Sequence, residues 1–258
     1  MTGRRRTVIV PAWWPTVALV VVCALFWQIG SGQHWWSPQI LPAPSEIWNA
    51  GRIEYADGPL MEDLVTSVRN FILCCLIGTG AGALSGYVFW LSPFVGRAFE
   101  PYLVAFYAVP IVVFYPAMLV IIGLGSWPII IIGSIMAAIP MALNTWVGLS
   151  GVKRVYLNLG KVLCLPRWKL LKEIAIPAAS PMMIAGATMA AVYSLIGVVA
   201  MEFMVAQEGL GYRIRYRYES FNNDGMYFYI IITLVIAVIM ISLLALLPKV
   251  LGVGRKAR

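Results

Sequence analysis

The chain has 258 residues, 61% of them hydrophobic, 12% aromatic and only 12% charged, whereas a soluble globular chain is about 45–50% apolar and about 25% charged. So few charges cannot cover a soluble fold of this size, which excludes an ordinary cytosolic enzyme and a disordered tail and points to a polytopic helical membrane protein. The net charge of +8, from 19 Lys and Arg against 11 Asp and Glu, then reads as the basic bias of cytoplasmic loops rather than a nucleic-acid-binding surface.

Six apolar spans are predicted, each close to the length that crosses about 30 Å of hydrocarbon as a helix. They run from about Trp13 to Gly30, Ser67 to Trp90, Tyr102 to Leu124, Pro128 to Val147, Pro181 to Val205 and Tyr227 to Leu247. Arg4-Arg5-Arg6 before the first span resembles the start of a signal peptide, but no small-x-small cleavage site follows, so an uncleaved span is expected. Six spans put both termini on one side. With that side cytoplasmic, 14 of the 19 basic residues fall there, while Glu46, Glu54, Asp57, Glu62, Asp63, Glu208, Glu219 and Asp224 fall on the other. The expectation is an all-α bundle with both ends inside.

In the second span Gly78, Gly82 and Gly86 recur every four residues, which places them on one face and suits close helix packing. Pro110, Pro116 and Pro140 interrupt the third and fourth spans, and each frees a carbonyl that a neighbour or water must satisfy. Cys23, Cys74, Cys75 and Cys164 lack metal-ligand spacing, and His34 is the single histidine. Metal, haem or histidine-relay chemistry is not expected, and no metal site is assigned.

Between the fourth and fifth spans, about 150–180, lies the segment richest in signal. It carries Lys153, Arg154, Lys161, Arg167, Lys169 and Lys172 against one acid, Glu173, interleaved with Leu157, Leu163, Trp168, Leu170, Leu171, Ile174 and Ile176. This pattern predicts short amphipathic helices, broken at Leu165-Pro166 and ended by Pro177. Such helices suit either a membrane surface with anionic lipid or a cytosolic partner.

Here the chain resembles the permeases of binding-protein-dependent ABC transporters. Their cytoplasmic loop reads E-A-A, three residues, G, nine residues, I-x-L-P. Ile174-Ala175-Ile176-Pro177 matches the close, and Arg167-Trp168 matches a common pair after the glycine. Asn158-Leu159-Gly160 stands at the E-A-A and Cys164 at the glycine, so the register survives while the acid and the glycine are lost. Other stretches resemble the nitrate/sulfonate/taurine-type branch: Leu41-Pro42-Ala43-Pro44, Thr66-Ser67-Val68-Arg69, Glu100-Pro101, Val109-Pro110, Phe114-Tyr115-Pro116, and Gly197 to Phe203 followed by Gly209-Leu210-Gly211-Tyr212. Together they cover nearly the whole chain.

The resemblance implies a type I ABC importer permease fold forming one transmembrane domain over 1–258. It implies two cytosolic ATPases seated on the loop, a second permease subunit with a homodimer favoured, and a periplasmic or lipid-anchored substrate-binding protein. ATP and magnesium belong to the partner ATPase and no cofactor to this chain, which has no G-x-x-x-x-G-K-[ST] phosphate loop. Asn158, Gly160, Cys164, Arg167, Trp168, Lys172 and Pro177 become the coupling residues. The branch favours a small anion such as a sulfonate, nitrate or carboxylate, and related permeases also serve pyrimidine-like and aromatic compounds.

Single residues add expectations. Glu202 is an acid inside an apolar span, a position that is costly and by default functional; it is expected near the outer end, close to water, in gating or structural pairing. Arg213, Arg215 and Arg217 alternate with Ile214 and Tyr216. If extended, they share one face, suited to docking an acidic binding protein, to pairing with Glu208, Glu219 and Asp224, or to an anionic substrate. Trp13, Trp14, Trp35, Trp36 and Trp48 suit interfacial belts, and Tyr107, Pro110 and Phe114 are candidates for lining the pathway. An ion-coupled secondary transporter would need intramembrane acids or histidines as relays; Glu202 and Glu100 are the acids available. A membrane enzyme would need a nucleophile with a base, or metal ligands.

Overall fold

The computed structural model describes residues 14–37, 39–108 and 111–250. Among these the chain is helical between turns, with no strand, as expected where each segment must close its own backbone hydrogen bonds. The helices are α1 Trp14–Gly32, α2 Pro44–Asp57, α3 Leu60–Leu91, α4 Pro93–Ala108, α5 Tyr115–Ile122, α6 Ser126–Ser150, α7 Arg154–Val162, α8 Arg167–Leu170, α9 Ile176–Met204, α10 Leu210–Glu219 and α11 Asn223–Val250. A 3-10 turn, Ile111–Phe114, precedes α5, and a π-helical segment, Leu171–Ala175, joins α8 to α9.

Four helices are long and apolar enough to cross a membrane: α3, α6, Asn223–Leu244 of α11, and the continuous run Arg167–Met204. The bent pair Pro93–Phe106 and Ile111–Ile122, 85° apart, makes a fifth if counted as one span, and α1 contributes a shorter apolar helix over Val17–Gly32. The predicted third span is thus not one continuous helix. Pro116 sits in the first turn of α5, where its missing N–H costs no helical hydrogen bond, so the sequence restarts a helix there instead of carrying one through. Both basic chain ends, 1–13 and 251–258, lie outside the described residues.

The centre of the bundle is α3, α6 and α9, the most extensively packed elements. Gly78, Gly82 and Gly86 face α6: a Cβ at Gly82 would collide with the Ala138 carbonyl, and one at Gly86 would come within 2.5 Å of the Ala142 carbonyl. The packing reading of the glycine repeat holds. Cys74, Ile129, Ile130, Ile132, Val198 and Met201 fill the space between these helices.

Pro177 does not end the coupling segment, as the sequence suggested. The helix passes through it into α9 because the π-helical segment just before it shifts the hydrogen-bond ladder where the proline lacks an N–H and crowds the preceding turn. Four residues on, Pro181 cannot donate to the Pro177 carbonyl; Ser180 Oγ donates to it instead, at 2.9 Å. The resulting 29-residue α9 is about 43 Å long at 1.5 Å per residue. It separates two ends of the bundle, one carrying α7 and α8, the other carrying α10.

Candidate functional site

At the α10 end, the chain leaves α9 at Met204, loops through Gly209 and enters α10. The first backbone N–H groups of a helix have no intrahelical acceptor. Here three successive ones find side-chain oxygens: Gly209 N donates to Asp63 Oδ1 at 3.0 Å, Leu210 N to Ser67 Oγ at 2.8 Å, and Gly211 N to Glu202 Oε2 at 3.2 Å. Ser67 Oγ in turn donates to Glu202 Oε2 at 2.6 Å, and Asn70 Nδ2 to Glu202 Oε1 at 3.3 Å. Asp63, Ser67 and Asn70 stand at i, i+4 and i+7 on α3, one face of the helix, and that face is buried. Two carboxylates at a helix N-terminus also oppose the positive end of its dipole. The Gly-Leu-Gly run is sterically required: Gly209 has φ +101°, a Cβ there would lie 2.5 Å from the Glu202 carboxyl carbon, and one at Gly211 would lie 2.5 Å from the Val199 carbonyl.

Glu202 is therefore not near water. It is fully buried, held by α3 and by the turn that folds back over it. The expectation of structural or gating pairing fits this geometry; the expectation of solvent contact does not.

The arginines are not an extended ribbon either. They lie on a helix, where i and i+4 share a face and i+2 points away. Arg213 Nε meets Asp63 Oδ2 at 2.7 Å, and the ion pair is almost wholly enclosed. Burial works against the Arg213 charge, but the hydrogen bond and charge of Asp63 more than offset it, so its pKa lies above the ordinary arginine value. Arg217 pairs with the buried Glu54, whose Oε2 also accepts from Tyr229 Oη at 3.1 Å. Arg215 turns to the other side and donates to the carbonyls of Met204 and Ala206, with Glu219 3.7 Å away. Tyr212 and Tyr216 lie under the guanidinium groups at 5.3–5.8 Å. Glu208 and Asp224, expected partners, take no part in these ion pairs. Glu219, the third expected partner, does pair with Arg215, and the other two partners, Asp63 and Glu54, lie about 150–160 residues away in the chain.

At the other end, α7 and α8 form the predicted helix pair, broken at Leu165-Pro166. Leu165 N donates to the Gly160 carbonyl at 3.0 Å, five residues back, and Cys164 between them has φ +51°. This is the Schellman helix end, in which the residue after the cap turns left-handed. Glycine does so freely, while an L side chain is disfavoured by about 1–2 kcal/mol. Cys164 thus occupies the position where the family carries glycine, in the conformation that glycine favours. Gly160 is buried under α8: a Cβ there would meet Leu170 Cδ1 at 2.7 Å and Ile174 Cδ1 at 3.1 Å. Asn158, Arg167, Trp168 and Lys172 are exposed, alongside Val155, Leu159, Val162 and Leu163.

Of the pathway candidates, Phe114 is half-exposed while its neighbour Tyr115 is buried. Pro110 and the Tyr107 side chain lie outside the described residues, as do Trp13 and the Trp14 side chain. Trp35 and Trp48 are exposed, and Trp36 packs over Gly30. Among the described residues no group of three His, Cys, Asp or Glu could hold a metal ion. Sequence reasoning missed the Ser67–Asn70 face that receives Glu202; its signal was three polar residues, Asp63, Ser67 and Asn70, at helical spacing on the side of α3 that continues into the glycine repeat.

A family profile described as "Binding-protein-dependent transport system inner membrane component" matches residues 78–251. The chain is 23% identical over 242 residues to the formylaminopyrimidine transport permease protein ThiX of Halalkalibacterium halodurans, covering 94% of this chain and 96% of that one. It is 28% identical over 224 residues to the nitrate import permease protein NrtB of Synechococcus elongatus, covering 82% and 77%. The taurine transport system permease protein TauC of Escherichia coli is 24% identical over 211 residues, covering 80% and 76%. The fold of this chain matches a chain of the MetNI methionine ABC transporter in an inward-facing conformation, with TM-score 0.62, 18% identity, and coverage of 77% of this chain and 96% of that one. With the family profile matched over well more than half its length, and with at least four helices long and apolar enough to cross a membrane, the chain belongs to the binding-protein-dependent transport system inner membrane components and is a multi-pass permease subunit of an ABC importer.

Proposed function

We propose that the α7–α8 end is the cytoplasmic seat of an ATPase and that the α10 end is the outer gate, facing the substrate-binding protein. Both chain termini then lie in the cytoplasm, and residues 1–258 act as one permease domain. Two such chains, as a homodimer, surround the pathway for a small solute and carry two ATPases. Phe114 belongs to the pathway wall. ATP and magnesium act in the ATPase, and this chain is a non-catalytic lever with membrane lipid around it.

The observation that carries this reading is the exposed surface of α7 and α8. Val155, Leu159, Val162 and Trp168 stand in the open beside Arg167 and Lys172, while Gly160 lets α7 lie tight against α8 and the π-helical segment. An amphipathic face anchored this closely to α9 suits a cytosolic partner groove, and motion of α8 passes directly into α9 because the helix is continuous. At the far end of α9, Glu202 and the α10 turn would tighten or release, giving the two global states that alternating access requires.

The test is the triple substitution Arg167→Ala, Trp168→Ala and Lys172→Ala in the assembled importer. Transport is expected to fall to background, with the ATPase either lost on purification or hydrolysing ATP without transport. Unchanged transport with unchanged ATPase retention would refute the assignment of this face.

A further inference from the structure

Beside the Glu202 cluster, between α3, the α5–α6 turn and the α9–α10 connection, lies a cavity of about 100 Å³. Its polar lining is Thr66, Asn70, Tyr115, Ser126, Gln207 and Glu208, and its exposed rim includes Leu124, Gly125, Gln207 and Glu208. Asn70 is fully buried and spends its amide N–H on Glu202, yet its Oδ1 has no hydrogen-bond partner among the described residues. A buried acceptor without a donor costs about 1–3 kcal/mol, and such groups in native structures mark water or a ligand.

We propose that this cavity is a subsite for the hydrogen-bond-donating head of the transported solute: a primary amide, amine or ammonium group. The assignment rests on the reading of the α10 end as the outer gate and names the chemistry that this gate receives. Asn70 Oδ1 needs a donor. Glu208, with no ion pair among the described residues, adds a negative charge at the mouth. Of the nearby cations, Arg69 Nη2 donates to Ser126 Oγ at 3.0 Å and Arg215 Nη2 to the Ala206 carbonyl at 2.9 Å. Tyr115 and Ser126 hydroxyls can adapt to either role. The cavity far exceeds the about 10–15 Å³ of such space that a single water needs, so a small polar head group fits it. An oxyanion head, which the branch resemblance favours, would face the Asn70 Oδ1 acceptor and the Glu208 carboxylate. Because Asn70 bonds both the ligand and Glu202, a head group seated here is sensed by the cluster that holds α10.

The probes are acetamide, methylammonium and nitrate, titrated by ligand-observed NMR against the importer complex in lipid nanodiscs without binding protein. Acetamide and methylammonium are expected to bind and nitrate not to. Ala206→Leu, which fills the cavity, should weaken both by about tenfold or more. Glu208→Gln, at an exposed position, should weaken methylammonium about threefold or more and leave acetamide unchanged; this split decides the matter if Ala206→Leu fails to assemble. Preferential nitrate binding would make the cavity an oxyanion site and overturn the proposal, as would no binding of any probe, an unaffected Ala206→Leu, or a Glu208→Gln that treats both ligands alike. Failure here with a transport defect in Glu202 variants rejects the subsite alone, whereas Glu202 variants that transport normally reject the outer gate.

Discussion

The two ends of α9 use the same side chains in opposite ways. At the α10 end, three arginines and the acids Asp63, Glu54 and Glu202 are folded inward: Arg213 onto Asp63, Arg217 onto Glu54, Arg215 onto two carbonyls, and Glu202 onto Ser67, Asn70 and Gly211. At the α7 end, Arg167 and Lys172 have no ion pair among the described residues, and Trp168 is exposed. The first end spends its polar groups on itself; the second leaves them exposed. Where charge lies in the sequence does not say which of these it will do. The difference lies in whether acids from distant helices reach it.

Substitutions can break this comparison, and the largest effect is expected at Glu202. Glu202→Ala strands Ser67 Oγ, Asn70 Nδ2 and the Gly211 N–H in a buried site, which should cost about 3 kcal/mol or more. Thermal unfolding of the detergent-solubilised chain measures it, and a loss under about 1 kcal/mol would show that the cluster relaxes onto water. Glu202→Gln, which keeps an acceptor and the side-chain length, should lose less. Next, Asp63→Ala removes the partner of Arg213 and of the Gly209 N–H together, for an expected loss of about 2 kcal/mol. Because the pair is enclosed, raising salt in the wild type should leave stability nearly unchanged; a steep salt dependence would mean that the pair is open to solvent.

At the α7 end the signs differ. Cys164→Gly should stabilise the chain by about 1 kcal/mol by relieving the left-handed strain, read as a raised unfolding midpoint. A destabilised glycine variant would mean that the thiol makes a contact worth more than the strain. The smallest effect belongs to the triple Arg167, Trp168 and Lys172 alanine variant, whose intrinsic stability should stay within about 0.5 kcal/mol of wild type even as coupling is lost. A large destabilisation would mean that this face belongs to the bundle rather than to a partner.

Much of this was legible in the sequence. Glycines at 78, 82 and 86 give a helix face without side chains, and such a face has one common use, close packing. Leu165-Pro166 breaks a helix because the residue before a proline avoids the helical region. The motif register placed Cys164 where the resembled family has glycine, the residue that enters the left-handed region freely. Less legible were Pro177, whose effect the π-helical segment absorbs, and the third span, where prolines permit both a kink and a break. The arginine stretch misled for a definite reason. A strict two-residue alternation reads as extended chain, but ten residues capped at their N-terminus by Asp63, Ser67 and Glu202 take the helix that satisfies those three groups.

Composition and periodicity by themselves determined that this is a helical membrane protein, because lipid forbids open backbone, and the resemblance carried by its motifs pointed to the family. The tertiary structure alone decided which charges are available. Glu202 became a buried anchor when the Gly209-Leu210-Gly211 turn closed over it, and Asn70 was left with one bonded and one unbonded atom by the same closure. These outcomes depend on residues 130 to 150 positions apart meeting at about 3 Å, and no local pattern encodes such a distance.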